Sequence, residues 1–423
     1  MALSFGFLAA LAGFAPSSIV TPQNPGQVTQ DPPPAPAGET TGPLPVPGAE
    51  AEPGGNPEPV PTTRFLLEDL LHAAGLGKPL ENAGLRVYGW TQGSYTTSTT
   101  NESNAPTVFN DRADYSAMGQ NWLEIVRSID TTKNEVQIGG RAALILPGYD
   151  YKYTLARGLW NEQSDRYGFD SVYIYGEVFL PGMGPRGTTL RAGRWATTIG
   201  YEMIEAVATP FVTRSYNFAA NPYTHTGVQA TTELSANLTM YHGFVTGADV
   251  WFDPAKTLGY VGGLKWTADG GASSVAANVF FTGQGFDSDE SFQHYDSYNV
   301  LFTQQIAEGW TYALDATYGR TPDTDPTGLA AGGSAQWVGF ANYLVHPLCE
   351  TVTLNLRGEF FRDDDGLRTG TAGNYVGVTA GLQLAPTPWL WLRPFARFDR
   401  NGNGPFEGDN EMWSGGLEVI ARW

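Results

Sequence analysis

The charged residues in the middle of this chain stand singly, each among small or apolar neighbours, where hydrogen bonding and electrostatics are the chemistry open to them. Glu202, Glu205, Arg214 and His225 fall within the longest connecting segment, residues 197–226. Arg141, Arg191, Lys265, Arg357, Arg393 and Arg397 fall on strand-like segments, on the polar side of a two-residue alternation. Acids and bases facing each other across a passage would make a transverse field that orients polar solutes and sorts them by charge. The plainer alternative is local neutralisation, with Glu177, Glu233, Asp315, Glu359 and Glu418 as partners. Catalysis finds no comparable support. The five histidines show no H-E-x-x-H spacing, and one cysteine, Cys349, makes neither an internal disulfide nor a Cys-based zinc site. Asp399-Arg-Asn401-Gly-Asn403-Gly404 matches the start of an EF-hand-like calcium loop. The position that needs a bidentate Glu is Asn410, with Glu411 one step late, so the segment reads as a hairpin loop. No metal, no cofactor and no enzyme activity are expected.

The elements that must position these groups are strands. The last residues, Trp413–Trp423, put Trp413, Gly415, Leu417, Val419, Ala421 and Trp423 on one face and Ser414, Gly416, Glu418, Ile420 and Arg422 on the other. Such a strand suits lipid on one side and water on the other. Charged residues are 16% of the chain, against ~25% in an average soluble protein. Aromatics reach 13%, and there are 52 glycines. Beyond the N-terminus no run of ~18 apolar residues occurs, so a helical span is not expected, whereas interleaved strands would escape a hydropathy average. The net charge of −19 argues against a nucleic-acid partner.

From Leu85 onward the chain breaks into alternating segments of about ten residues. Short connections fall at Thr131–Lys133, Pro181–Gly187, Asn237–Thr239, Ala268–Gly271, Ala307–Gly309, His346–Glu350 and Ala385–Pro388. They take turns with mostly longer ones at Thr97–Met118, Pro147–Asp170, Thr197–Thr226, Phe252–Thr257, Gly285–His294, Thr321–Gly332, Arg362–Gly373 and Asn401–Asn410. This rhythm predicts an all-β fold, a transmembrane antiparallel β-barrel of about 16 strands, within a range of roughly 14–18, with tight turns on one side and long loops on the other. Acids concentrate in the long loops: Asp287, Asp289 and Glu290, then Asp323 and Asp325, then Asp363–Asp365. Their charge should make the outer vestibule negative and weakly cation-favouring, a preference that an arginine-lined constriction would reverse. Aromatic pairs Tyr260 with Trp266, Trp310 with Tyr318, and Trp337 with Tyr343 are spaced as membrane girdles, roughly 14–19 Å apart at ~3.3 Å per tilted residue. Trp423 would be a girdle residue at the periplasmic side and the C-terminal aromatic read by the barrel assembly machinery.

Residues 1–15 read as a signal peptide, with SFGFLAALAGFA as its apolar region. Residues 16–63 read as a Pro-rich disordered linker, with 13 prolines between Pro22 and Pro61. Residues 64–83 hold one short helix capped by Thr62 or Thr63, with Phe65, Leu66, Leu67, Leu70 and Leu71 as its apolar set. It would seal the lumen or its rim, join a trimeric contact, or pack locally. Residues 84–423 form the barrel.

Four segments, LRVYGWTQGSY (85–95), LRAGRWATTIGYE (190–202), GYEMIEAVATPFVTRSYNFAANPYTHTGVQAT (200–231) and LWLRPFARFD (390–399), resemble the OmpL-like beta-barrel porins of Gram-negative-type bacteria. The resemblance extends from about Gly84 to Trp423. It implies an outer-membrane channel for small hydrophilic solutes or ions, surrounded by lipid, with a homotrimer as one arrangement. Such a family commonly carries an acid after the Arg-Pro pair, where this chain has Phe395. By analogy with sixteen-strand porins, the third outer loop (197–226) would fold inward and narrow the pore. A non-conducting structural anchor and a secreted β-sandwich that binds glycans are the competing readings.

Overall fold

The computed structural model describes residues 64–155, 166–251, 258–282, 295–321 and 334–423. The signal-peptide and linker expectations, the caps Thr62 and Thr63, and the acids Asp287, Asp289, Glu290, Asp323 and Asp325 lie outside the described residues. The strands are β1 Arg86–Ser98, β2 Tyr115–Arg127, β3 Gln137–Gly148, β4 Gly168–Leu180, β5 Thr188–Ala196, β6 Thr224–Glu233, β7 Leu238–Val245 and β8 Gly259–Thr267. They continue as β9 Ser273–Phe281, β10 Asp296–Ala307, β11 Trp310–Arg320, β12 Gln336–Cys349, β13 Val352–Asp363, β14 Gly373–Thr387, β15 Leu390–Arg400 and β16 Glu411–Arg422. Each pairs antiparallel with its chain neighbours, and β1 closes on β16, so the sheet is a sixteen-strand barrel with no open edge. At the seam Trp90 stands opposite Arg422 and Thr96 opposite Gly416. Gly89 is required there, because a Cβ would lie 2.6 Å from the Trp423 ring. Trp423 Nε1 donates to Thr91 Oγ1 at 3.0 Å.

Alternation separates two faces along each strand. Phe244, Tyr260, Phe281, Tyr298 and Tyr318 form a continuous outward row over β7–β11, with successive ring centroids 6.1, 6.3, 5.6 and 6.0 Å apart. Toward the short turns, Trp266 is 45% exposed, and Trp310 stacks on His346 at 4.2 Å. Two aromatics expected in the girdle are not on this face. Trp337 and Tyr343 are each 1% exposed and point inward, while Val338, Phe340 and Leu344 take the outer positions of β12. The segment WVGFANYLV is apolar on both faces, so its alternation does not tell which side meets lipid.

Residues 64–83 form two helices rather than one: α1 Leu66–Ala73 and α2 Gly77–Asn82. Of the expected apolar set, Phe65 is buried, whereas Leu66 and Leu70 are 62% and 57% exposed. Docking comes from Phe65, which lies under the Arg422 guanidinium at 4.5 Å, and from Glu68, which accepts two hydrogen bonds from Arg86 at 2.7 and 2.6 Å. Arg422 also covers Trp391 at 5.1 Å. The helix is thereby held at the short-turn end of the barrel, beside β1, β15 and β16.

Candidate functional site

The segment between β5 and β6, residues 197–223, enters the barrel, and every residue from Tyr201 to Phe218 is buried. This loop 3 touches opposite sides of the ring. On β2 the Gln120 amide donates to Ile204 O (2.8 Å) and accepts from Ala206 N (3.0 Å). On β3 Arg141 meets Glu205 at 3.3 Å and also pairs with Glu124, and on β4 the Tyr173 hydroxyl donates to Glu205 at 3.0 Å. On β11, eight strands round from β3, Asp315 accepts from Tyr201 N at 3.0 Å, and its backbone carbonyl accepts from the Asn217 amide at 2.9 Å.

A dense clamp joins the middle of the loop to β13–β15. Arg357 donates to Glu202 at 2.6 Å and to Thr213 O at 2.9 Å, and lies 3.2 Å from Glu359. The second Glu202 oxygen accepts from Ser215 N at 2.6 Å. Arg397 pairs with Glu359 (3.1 Å) and Asp399 (2.7 Å) and donates to Arg214 O (2.7 Å). Arg393 pairs with Glu418 at 2.6 Å and donates to Ala206 O at 2.7 Å and to Thr209 O. These side chains are buried, so each charge needs its partner: attraction and hydrogen bonds must offset desolvation. Packing completes the fit. Phe395 joins Phe211 and Val212 in an apolar cluster, which makes the departure from an acid at that position a loop contact. Gly339 is needed because a Cβ there would fall 1.7 Å from Asn217 Oδ1.

The candidate residues therefore divide. Glu202, Glu205, Arg141, Arg357, Arg393 and Arg397 converge on loop 3. Arg214 is in the loop, and no carboxylate among the described residues lies at hydrogen-bond distance from it. It donates to the carbonyls of Met203, Ile204, Phe211 and Val212 and covers the Phe109 ring at 4.5 Å, which makes it an internal peg. His225 is the second residue of β6, with Nδ1 3.1 Å from Gly247 O and Nε2 3.0 Å from Thr197 Oγ1. Arg191 pairs with Glu177 on neighbouring strands at 2.8 Å, away from the loop. Lys265 is inward on β8, near the short-turn end and partly exposed. The arginines of the clamp are matched to carboxylates within 3.3 Å, so local neutralisation describes them and an uncompensated transverse field does not. Gln120, Thr213 and Asn217 escape sequence reasoning. Gln120 alone carries a signal there, as an amide on the inward face of a largely apolar strand.

The outer loops are also joined to one another. Glu407, in the last loop, accepts from the backbone N–H groups of Asn101 (2.7 Å), Glu102 (2.8 Å) and Ser103 (2.8 Å) in the first. Those three donors hold its carboxyl down at about 2.

A closed sixteen-strand barrel with an outward lipid face and an inward third loop is the architecture of outer-membrane porins. Residues 84–417 match the family described as "Putative beta-barrel porin-2, OmpL-like", and the chain belongs to that family. It resides in the bacterial outer membrane. Among solved structures, the outer membrane channel DcaP of Acinetobacter baumannii superposes with a TM-score of 0.52 at 10% identity, covering 80% of this chain and 97% of that one. OprB of Pseudomonas putida superposes with a TM-score of 0.54 at 9% identity, covering 83% and 97%. No curated protein matches the sequence.

Proposed function

We propose that this porin-family barrel is a passive diffusion channel for small hydrophilic solutes or ions, that it performs no catalysis, and that loop 3 (197–226) is its constriction. The observation that carries this reading is the path of the loop from Arg141 on β3 to Asp315 on β11, which crosses the ring at its full width. A sixteen-strand ring is too wide for its own side chains to fill, so whatever crosses it governs passage. Planar-bilayer recordings test the proposal, using the full chain and a chain lacking residues 1–83. Discrete channels in either are expected, and silence in both refutes it.

The complete burial of Tyr201–Phe218 favours a second reading, a sealed barrel that serves as a structural anchor. The same recordings separate the two. Outer-membrane lipid is the proposed partner of the outward face, and the barrel assembly machinery the proposed reader of Trp423. The aromatic row of β7–β11 has no counterpart over β2–β6, where Leu123, Ile125, Ala142, Ile174, Val178, Ala192 and Val228 take the outer positions. That difference supports self-association, as a homotrimer, through β2–β6. Cross-linking in detergent and in native membranes tests it, with a monomer in both as the contrary result.

A further inference from the structure

The inner wall of the barrel carries an apolar patch at its short-turn end, on β15, β16 and β1. Trp391 and Ile420 stand opposite each other in register, and Ile420 stands opposite Gln92. All three face inward. Trp391 and Ile420 alternate with Arg393 and Glu418, the pair that meets loop 3, and Gln92 donates to Glu418 at 2.9 Å. Tyr88 follows the same alternation on β1, nearer the short turns. The lumen wall of a wide barrel is ordinarily polar, because it meets water. Yet Tyr88, Trp391 and Ile420 are each no more than 2% exposed.

Their cover includes the segment that precedes β1. Phe65 belongs to the same buried apolar cluster as Tyr88, Trp391 and Ile420. The Arg422 guanidinium, inward and two residues beyond Ile420, spans the Phe65 and Trp391 rings at 4.5 and 5.1 Å. Glu68 is buried as well and holds Arg86, the first residue of β1, through both carboxylate oxygens. These contacts put α1 inside the mouth of the barrel rather than on its lipid side. The rest of the segment is held lightly. Leu66 and Leu70 are exposed, and helices of eight and six residues are not stable alone in water. The link to β1 includes Gly84, whose φ of +67° is a conformation that suits glycine at a hinge. A short element fixed by one ring and one ion pair opens at far lower cost than the sheet it rests on.

We infer that α1 and α2 are a lid seated inside the periplasmic mouth, a second constriction in series with loop 3, and that it opens when Phe65 and Glu68 leave the wall of β15, β16 and β1. The inference rests on the channel reading above and adds a means of regulation to it. The seat lies one inward position nearer the short turns than Arg393 and Glu418, so the two constrictions share a wall. Docked, the lid covers the apolar patch and takes up part of the cross-section beneath loop 3. Undocked, it stays tethered through Gly84 and returns, because Tyr88, Trp391 and Ile420 are unfavourable in water.

The test uses the full chain, with barrel folding of every variant checked by heat-modifiable gel mobility. Phe65→Ala and Glu68→Gln loosen the lid, whereas the double variant Leu66→Ala, Leu70→Ala alters only its exposed face. Amide hydrogen exchange over residues 66–82 should be about tenfold or more faster in Phe65→Ala and in Glu68→Gln, as the loss of a buried ring or of a charge-assisted pair implies. It should be unchanged in the leucine variant. In planar bilayers, Phe65→Ala and Glu68→Gln should lose closures that the wild type shows, and their time-averaged current should rise toward that of the chain lacking residues 1–83. A silent wild type that gives way to current in these variants would likewise support the lid. Exchange that is unchanged in Phe65→Ala and Glu68→Gln, or equally fast in the leucine variant, overturns the seat. Faster exchange with unchanged current overturns the lid while the channel reading stands. Silence in the wild type, in both loosened variants and in the chain lacking residues 1–83 overturns the channel reading itself, and this inference with it.

Discussion

The barrel has two interior walls, built from different chemistry. On β13–β15 and β2–β4, arginines and carboxylates alternate across neighbouring strands and close on loop 3 through Arg357–Glu202, Arg397–Glu359 and Arg141–Glu205. On β7–β11 the inward positions are mostly small, hydroxyl or amide, and the loop is met by Asn278, Asn299 and Asp315. A loop spanning a wide barrel needs one side that holds, and a channel needs one side that yields. Buried charge supplies the first, because an unpaired ion has nowhere to go. Hydrogen bonds to amides and to the one carboxylate of Asp315 supply the second, because water can take their place more readily than it can that of a buried ion pair.

That contrast can be broken from either side. The largest effect is expected on the charged wall. Arg357→Ala leaves Glu202 and Glu359 buried without their shared partner, which should cost about 3–5 kcal/mol and release the middle of the loop. Thermal melts of the folded barrel should show the loss, and single-channel current should rise or become noisy. On the wall of β7–β11, Asp315→Ala removes the acceptor for Tyr201 N and should cost only about 1–3 kcal/mol. The channel should open more often while the melt changes less than for Arg357→Ala. A larger loss from Asp315→Ala than from Arg357→Ala would reverse the assignment of the two walls. Gly339→Val tests packing at the end of the loop, since its side chain would displace Asn217. Overpacking of this kind costs about 1–3 kcal/mol, and loosening near Asn217 should be visible as faster hydrogen exchange.

The smallest effect concerns the outer loops. Glu407 titrates at about 2 in the folded chain, below the ordinary value of about 4.3. A depressed carboxyl contributes stability above its unfolded pKa and loses it as pH falls through the folded one. The amides of Asn101, Glu102 and Ser103 should therefore stay protected at mildly acid pH and become exposed near pH ~2. Glu407→Gln should expose them at neutral pH and leave conductance unchanged.

The number of strands was legible because seven short turns alternate with eight longer loops, a rhythm set by chain connectivity that needs no knowledge of contacts. The loop that enters the barrel was legible from its length and its family resemblance. Which charges pair was not, because Arg357 and Glu202 are 155 residues apart and meet only after closure sets the register. Arg214 looks like a pore-lining base in sequence, yet it bonds to four carbonyls of its own loop, and carbonyl geometry leaves no mark on residue type. Trp337 and Tyr343 face inward rather than to lipid; both sides of β12 are apolar in sequence, and only the folded chain brings the Tyr201 ring to 4.4 Å from that of Tyr343. The apolar set of residues 64–83 splits: Phe65 docks together with Glu68, while Leu66 and Leu70 are exposed.

The most direct test of a channel narrowed by loop 3 is unitary conductance before and after the loop is shortened. Residues 199–219 would be replaced by a short Gly-Ser linker, with barrel folding checked by heat-modifiable gel mobility. An open sixteen-strand ring should then conduct several-fold more than the full-length loop allows, with weaker discrimination among solutes. An unchanged conductance in a properly folded, shortened barrel would contradict the account.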